Sequence, residues 1–323
     1  MMRRVAIRIS LSVIGLLAAG ASASTGIAQQ PRAETAPPVT LPNTRVHILH
    51  SRLNGRTYLI QVGLPRAYGN AGLGDVTRYP TLYDLDVVRM DFPLLYDQQQ
   101  YSPVVRPFIL VAITAIKPSD PKWIDPNESD YTAPLTAADS QYFTRTGLGH
   151  PPPVGGAPQF LRVLKEEIIP FIDSTYRTSG DRGLEGTSLG GFFVGYAMVE
   201  APELFTRYAM ISPSFWYPWG REKGMILARE PEFAKQHPTF QKTVYVNVGS
   251  EENSSMLAAD WQFVRQVCNS MSYGNYKGLD LGAETIAGMA HGSPLARMRA
   301  IAALYPADST RPKIGRGVMQ DCR

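Results

Sequence analysis

Apolar and polar positions recur with two different periods along this chain, and the switches between them mark out its elements. Residues 44–50 and 56–64, TRVHILH and RTYLIQVGL, read as two strands joined near Asn54-Gly55, a hairpin-type turn. YPTLYDLD gives a short strand. RPFILVAITAI, residues 106–116, is a continuous apolar, β-branched run, as expected of a strand covered on both faces of a parallel sheet. From Pro158 to Tyr176 the period changes, and Phe160, Leu161, Leu164, Ile168 and Ile169 recur at helical spacing. RGLEG then predicts a short strand, and LGGFFVGYAMVE a helix that stops at Ala201-Pro202. Further on, YAMIS and KTVYVNVGS read as strands and MLAADWQFVRQVCNSM as a helix. GLDLGAETI is a strand and SPLARMRAIAALY a last helix.

A hairpin followed by alternating strands and helices predicts an α/β fold. Its central sheet is mostly parallel, with antiparallel N-terminal edge strands and helices on both faces. Ligands of such sheets bind at the carboxyl ends of the strands. Two breaks interrupt the alternation. KPSDPKWIDPNESDYTAP follows the buried strand, and HPPPVGG spans residues 150–156. Long polar loops at strand ends are where binding groups gather.

The N-terminus changes the picture of where the protein works. MMRR is a positive leader, ISLSVIGLLAAG is a short apolar stretch, and Ala21-Ser22-Ala23 is a small-x-small cleavage site, with Gly26-Ile27-Ala28 as a second. Residues 1–28 therefore read as a secretory signal peptide cleaved near 23 or 28, the alternative being an uncleaved anchor. Residues 29–43, polar and Pro-rich, are a flexible leader, 44–305 the folded domain, and 306–323 a C-terminal tail. The expectation is an exported bacterial protein, periplasmic, with no stable membrane insertion after cleavage. Charge is read for the mature chain. Removing Arg3, Arg4 and Arg8 from 32 basic residues leaves 29 against 28 acidic ones. A near-neutral surface gives no electrostatic case for nucleic acid. Cys268 and Cys322 could pair in an oxidising compartment or stay independent thiols; neither belongs to a C-x-x-C or Cys/His metal motif.

The candidate chemistry centres on Gly186-Thr187-Ser188-Leu189-Gly190, a G-x-S-x-G pattern between a predicted strand and a predicted helix. A serine on such a turn needs small residues two before and two after it, and Gly186 and Gly190 satisfy this. Ser188 would then sit at a helix N-terminus, with the Leu189 N–H available to a developing oxyanion. Of five histidines, only His291 lies in the loop between the last strand and last helix, where the order Ser, acid, His requires the base. The acid belongs after VYVNVG, where Glu251 and Glu252 are both available. Phe215, Trp216, Tyr217 and Trp219, with Trp123 and Tyr131, are candidates for lining an aromatic or acyl pocket.

Several stretches together carry a resemblance: EEIIPFID, GTSLGGFFVGYAMVEAPELFTRYAMISPSFWY, VYVNVGSEEN, SDYTAP and GMAHGSPL. Over residues 44–305 the chain resembles the esterase D branch of the α/β-hydrolases, and within it the siderophore (enterobactin-type) esterases. The resemblance implies an α/β-hydrolase fold and a Ser188, acid, His291 triad. It favours Glu252 as the acid, with Glu251 as the fallback. It implies a second oxyanion donor just after FILVAI, at Thr114 or, preferably, Ala115. It also implies a small-molecule ester substrate; no metal or organic cofactor is implied, and of the aromatic candidates Phe215, Trp216 and Tyr131 are expected at the substrate pocket. Relatives often carry an arginine shortly before the DYT motif, where this chain has Asn127 and Glu128. The reading is an ester hydrolase working through an acyl-enzyme. Its rivals are an acyltransferase with the same triad and a non-catalytic binding protein on the same scaffold.

Overall fold

The computed structural model describes residues 40–69, 76–85, 91–116, 129–145, 154–218 and 224–308. Residues 1–39, on which the expected signal peptide and most of the expected leader fall, Trp123, Asn127, Glu128, Trp219 and residues 309–323, including Cys322, lie outside them. Cys268 is disulfide-bonded.

Eight strands form one sheet: β1 (Thr44–His50), β2 (Thr57–Gly63), β3 (Tyr79–Leu85), β4 (Ile109–Ala115), β5 (Thr178–Thr187), β6 (Arg207–Ile211), β7 (Thr243–Gly249) and β8 (Asp280–Ile286). Their order is β1-β2-β4-β3-β5-β6-β7-β8. The β1–β2 and β2–β4 pairs are antiparallel, and every pair from β4 through β8 is parallel. This is the sheet expected from the alternation of periods, with the hairpin at its edge.

The apolar run of β4 shows why that strand is central. Ile109, Val111 and Ile113 enter one core cluster, while Leu110 and Ala112 enter the other. Alternate residues face opposite sides of the sheet, so both faces must be covered. On the first side lie three helices: α3 (Ala157–Thr175), α4 (Leu189–Glu200) and α5 (Met225–Gln236), joined there by α6 (Ser254–Ser272). On the second side lie α1 (Asp91–Tyr101) and α7 (Pro294–Leu304). A further helix, α2 (Ala137–Arg145), follows the DYT motif.

Two details depart from the simple pattern. The turn Leu164–Ile168 inside α3 is π-helical. Pro170 follows it and has no N–H for the preceding turn, which is the ordinary cause of such a widening. Helix α1 shows no amphipathic period because its glutamines point inward. Gln99 Nε2 donates to the Gly63 carbonyl at 3.1 Å, Gln98 Nε2 to that of Met298 at 2.6 Å, and Gln100 Nε2 to that of Leu64 at 2.8 Å.

One buried ionic cluster ties the second face to the middle of the sheet. Arg297 on α7 is 2% exposed and donates to Asp84 at the end of β3, to the Leu85 carbonyl at 3.0 Å, and through Nε to Glu185 on β5 at 3.3 Å. Both acids are fully buried. Removing the guanidinium leaves two buried carboxylates without this cation, so Arg297→Met should lower unfolding free energy by about 3–5 kcal/mol. Replacing all three residues with apolar ones of similar volume should cost far less. Urea midpoints of the single and triple variants check this.

Candidate active site

The centre of the site is the turn from β5 into α4. Ser188 has φ 58° and ψ −118°, a conformation that non-glycine residues rarely adopt. Neighbouring glycines make it possible. A Cβ on Gly186 would stand 2.5 Å from the Gly190 carbonyl group, and one on Gly191 would stand 3.0 Å from Pro213. The adjacent strand end holds the turn. Ser188 N–H donates to the Ile211 carbonyl at 2.9 Å, and Ser214 N–H donates to the Ser188 carbonyl at 3.0 Å. Leu189 is the first residue of α4, so its N–H has no acceptor within the helix.

The acid and base come from the loops after β7 and β8, which are built on one another. Glu251 N–H donates to the Met289 carbonyl at 2.9 Å, and Ser250 N–H to that of Ile286 at 3.0 Å. Gly249 lets the second loop cross, because a Cβ there would overlap the Met289 carbonyl. Gly292, at φ 66°, brings the histidine loop against the serine strand: a Cβ on it would lie 3.1 Å from the Thr187 methyl.

Across this junction His291 Nδ1 meets Glu252 Oε2 at 2.8 Å. The Glu252 side chain is 1% exposed and that of His291 47% exposed. The other Glu252 oxygen accepts from Ser212 Oγ and, at 3.0 Å, from Gly249 N–H. Burial pushes the Glu252 carboxyl up, but the hydrogen bonds from His291, Ser212 and Gly249 outweigh it and hold it below the usual carboxylate range. Such a carboxylate stays charged as the pH falls and keeps its hold on Nδ1, directing Nε2 outward. Glu251 instead accepts from the Ser250 hydroxyl at 3.1 Å.

Ser188, Glu252 and His291 line one cavity of about 730 Å³, together with Ser214, Trp216, Glu251, Asn253, Ser255, Met256 and Ala290. Ser188 Oγ lies 3.4 Å from Ser214 Oγ, and among the described residues no hydrogen bond joins it to His291. Catalytic hydrogen bonds are often loose without substrate and tighten in the complex. Trp216 forms a wall, its indole N–H donating to Met256 Sδ at 2.7 Å.

Other residues proposed from the sequence lie elsewhere. Phe215 is fully buried against Phe263, with ring centroids 4.6 Å apart, and belongs to the core. Tyr131 is likewise buried, between Phe160 and Phe193, and the Tyr217 hydroxyl donates to the Ala133 carbonyl. Among the described residues of this group, Trp216 is the one that lines the cavity. Ala115 ends β4, half-buried, and is not among the residues lining the cavity. Sequence reasoning missed Ser212 and Ser214. The signal was the ISPS stretch at the end of β6, the strand paired with the serine strand. Among the described residues no group of His, Cys, Asp or Glu could hold a metal ion, and no helix is long and apolar enough to cross a membrane.

A mostly parallel eight-stranded sheet with a serine turn at its middle and acid and histidine loops at later strand ends is an α/β-hydrolase fold. Solved structures agree. The BES protein from Bacillus cereus superposes with TM-score 0.66 at 22% identity, covering 84% of this chain and 99% of that one. An IroE-like serine hydrolase from Shewanella oneidensis gives 0.64 at 22% identity, covering 81% and 80%. More particularly, the chain belongs to the esterase family, whose model, described as "Putative esterase", matches residues 51–288. A curated relative, the ferri-bacillibactin esterase BesA of Bacillus subtilis, is 28% identical over 201 residues. That stretch spans 60% of this chain and 65%, less than two thirds, of the relative.

Ser212 tests the electrostatic account of Glu252. Ser212→Ala removes a hydrogen bond to a buried carboxylate, worth about 1.5–3 kcal/mol. The expected result is a roughly tenfold or greater fall in kcat/KM on a short-chain ester, with little change in KM. Steady-state kinetics check it, with circular dichroism confirming the fold.

Proposed function

We propose that this protein hydrolyses carboxylic esters through an acyl-enzyme on Ser188, and that its substrates are small esters of the siderophore-lactone kind. The observation that carries the reading is the 2.8 Å contact between Glu252 and His291 at the rim of the cavity that Ser188 lines. Family membership and the relatives named as siderophore esterases support the substrate class.

The residues fit successive steps. His291 Nε2 takes the Ser188 hydroxyl proton as Oγ attacks the ester carbonyl carbon. The carbonyl oxygen, now an oxyanion, is held by the Leu189 N–H at the positive end of α4. Buried, charged Glu252 stabilises the imidazolium and fixes its orientation. As the intermediate collapses, the carbon–oxygen bond to the leaving group breaks and His291 gives that oxygen the proton. Water then attacks the acyl-Ser188 ester, losing its proton to His291, which returns it to Ser188 Oγ as the acid departs.

Labelling with a fluorophosphonate should map to the peptide containing Ser188. Ser188→Ala should abolish labelling and lower hydrolysis of chromogenic esters by on the order of 10⁴-fold or more. Glu252→Gln should lower it by on the order of 10⁴-fold with the fold intact. Equal activity in wild type and Ser188→Ala would overturn the reading, and products formed with an added alcohol acceptor distinguish transfer from hydrolysis. We also propose that the protein is exported, on the strength of residues 1–28. N-terminal sequencing of periplasmic material should then begin after Ala23 or Ala28.

A further inference from the structure

The wall of the catalytic cavity carries a charge that the steps above do not use. Glu251 is exposed and lines the cavity together with Glu252 and His291, and it is the acid not turned toward the imidazole. Its position is fixed from two sides. Its N–H donates at 2.9 Å to the carbonyl of Met289, which lies just before His291 in the same loop. Its carboxylate accepts from Ser250 Oγ at 3.1 Å, and that oxygen in turn accepts from Gly288 N–H at 2.8 Å. Backbone and side chain thus both tie Glu251 to the loop that carries the base.

The other lining residues decide what this carboxylate would meet. Among the described residues, the acidic and basic side chains of the cavity are Glu251, Glu252 and His291. The rest are Ser188, Ser214, Ser255, Asn253 and an apolar wall of Trp216, Met256 and Ala290. One positive influence opposes the acids, the start of α6 at Ser254. A helix N-terminus amounts to about half a positive charge. The Asn253 side chain already accepts from the Met256 N–H at 2.9 Å. Two full negative charges outweigh that, and the balance stays negative even when His291 is protonated during the reaction. A cavity of this sign attracts a cation and repels an anion.

We propose that Glu251 is a specificity residue that receives a positively charged group on the alcohol part of the ester, so that the protein prefers esters of amino alcohols. This rests on the proposed Ser188–His291–Glu252 mechanism, and that mechanism also settles the side of the ester. The leaving oxygen takes its proton from His291, so the alcohol part lies beside the imidazole as the intermediate collapses. Glu251 is tied to the same loop through Met289, whereas the acyl part stays bonded to Ser188. An ammonium close to the leaving oxygen therefore falls on the Glu251 side of the cavity, and apolar parts of the substrate meet Trp216 and Met256.

The test compares butyrate esters of three alcohols by pH-stat at neutral pH and low salt. The alcohols are choline, its uncharged carbon isostere 3,3-dimethylbutanol, and the anionic 3-hydroxypropionate. For wild type, kcat/KM on the choline ester should exceed that on the isostere by about fivefold, with the anionic ester below both. Glu251→Gln should bring the choline-to-isostere ratio near one, and Glu251→Lys should invert it. The ratio cancels any general loss of activity, so a merely structural role of Glu251 would not move it. Salt gives a reading that needs no variant. The wild-type ratio should shrink from about 0.01 M to about 1 M salt, as the screening length falls from about 30 Å to about 3 Å. A wild-type ratio near one, or a ratio retained in folded Glu251→Gln, overturns the proposal. So does turnover of an uncharged chromogenic ester without turnover of the choline ester. A gain found instead for ethyl 4-trimethylammoniobutyrate over ethyl 5,5-dimethylhexanoate would put the cation on the acyl part and overturn it too. Failure of the catalytic reading itself would appear separately, as hydrolysis surviving in Ser188→Ala.

Discussion

Gly186 approaches the Gly190 backbone so closely that it could not carry a side chain without parting the strand from the helix, and the geometry of the site depends on that approach. A conformation such as that of Ser188 costs about 1–3 kcal/mol and survives only where its surroundings over-determine it. Here β5 is hydrogen-bonded to β3 on one side and β6 on the other, and the Ser188 backbone is held at both its N–H and its carbonyl. The strain has a use. It lifts the serine side chain out of the strand's alternation and into the cavity.

The acid and the base depend on the serine turn for position but not for charge. Their loops meet because Gly249 lets one backbone cross another and Gly292 lets the histidine loop touch Thr187. Arg297, three residues after the start of α7, binds Glu185, three residues before Ser188, so the helix that follows His291 is anchored to the strand that precedes Ser188. The mechanical frame and the electrostatic frame are therefore distinct. The frame is a buried ion cluster on one side of the sheet. The chemistry is a carboxylate with three donors at its carboxyl end.

Much of this was legible in the chain because it follows from period and spacing. The β-branched run of β4, the glycines flanking Ser188 and the loop position of His291 each have a physical reason that acts within a few residues. The choice between Glu251 and Glu252 did not. The two differ in which side chain turns back under the loop toward Ser212, and that is Glu252, a contact between residues forty apart. Helix α1 was hidden for a related reason. Its inward face carries Gln98 and Gln99, which satisfy carbonyls of distant segments, so burial and polarity part company there. Phe215 and Trp216 show the remaining limit. Both are aromatic and adjacent, yet one fills the core behind Gly195 and the other walls the cavity, a difference set by one step along a turn.

Asp260 belongs to the same class of signal, read in reverse. The buried stripe of α6 runs through Met256, Ala259, Asp260, Phe263, Val264 and Val267. An acid on that stripe breaks the rule that makes the helix amphipathic, and no partner offsets the cost. Propensity, packing and hydrogen bonding all disfavour it. Burial, and then the charge of Glu252, push its carboxyl up to about 9. Of the other buried acids among the described residues, Asp84 and Glu185 meet an arginine, Asp130 an arginine and a tyrosine, Asp139 a threonine and Glu230 a serine. Both oxygens of Asp260 lack a hydrogen-bond partner among the described residues, so burial falls on that carboxyl without offset and drives it toward its neutral form.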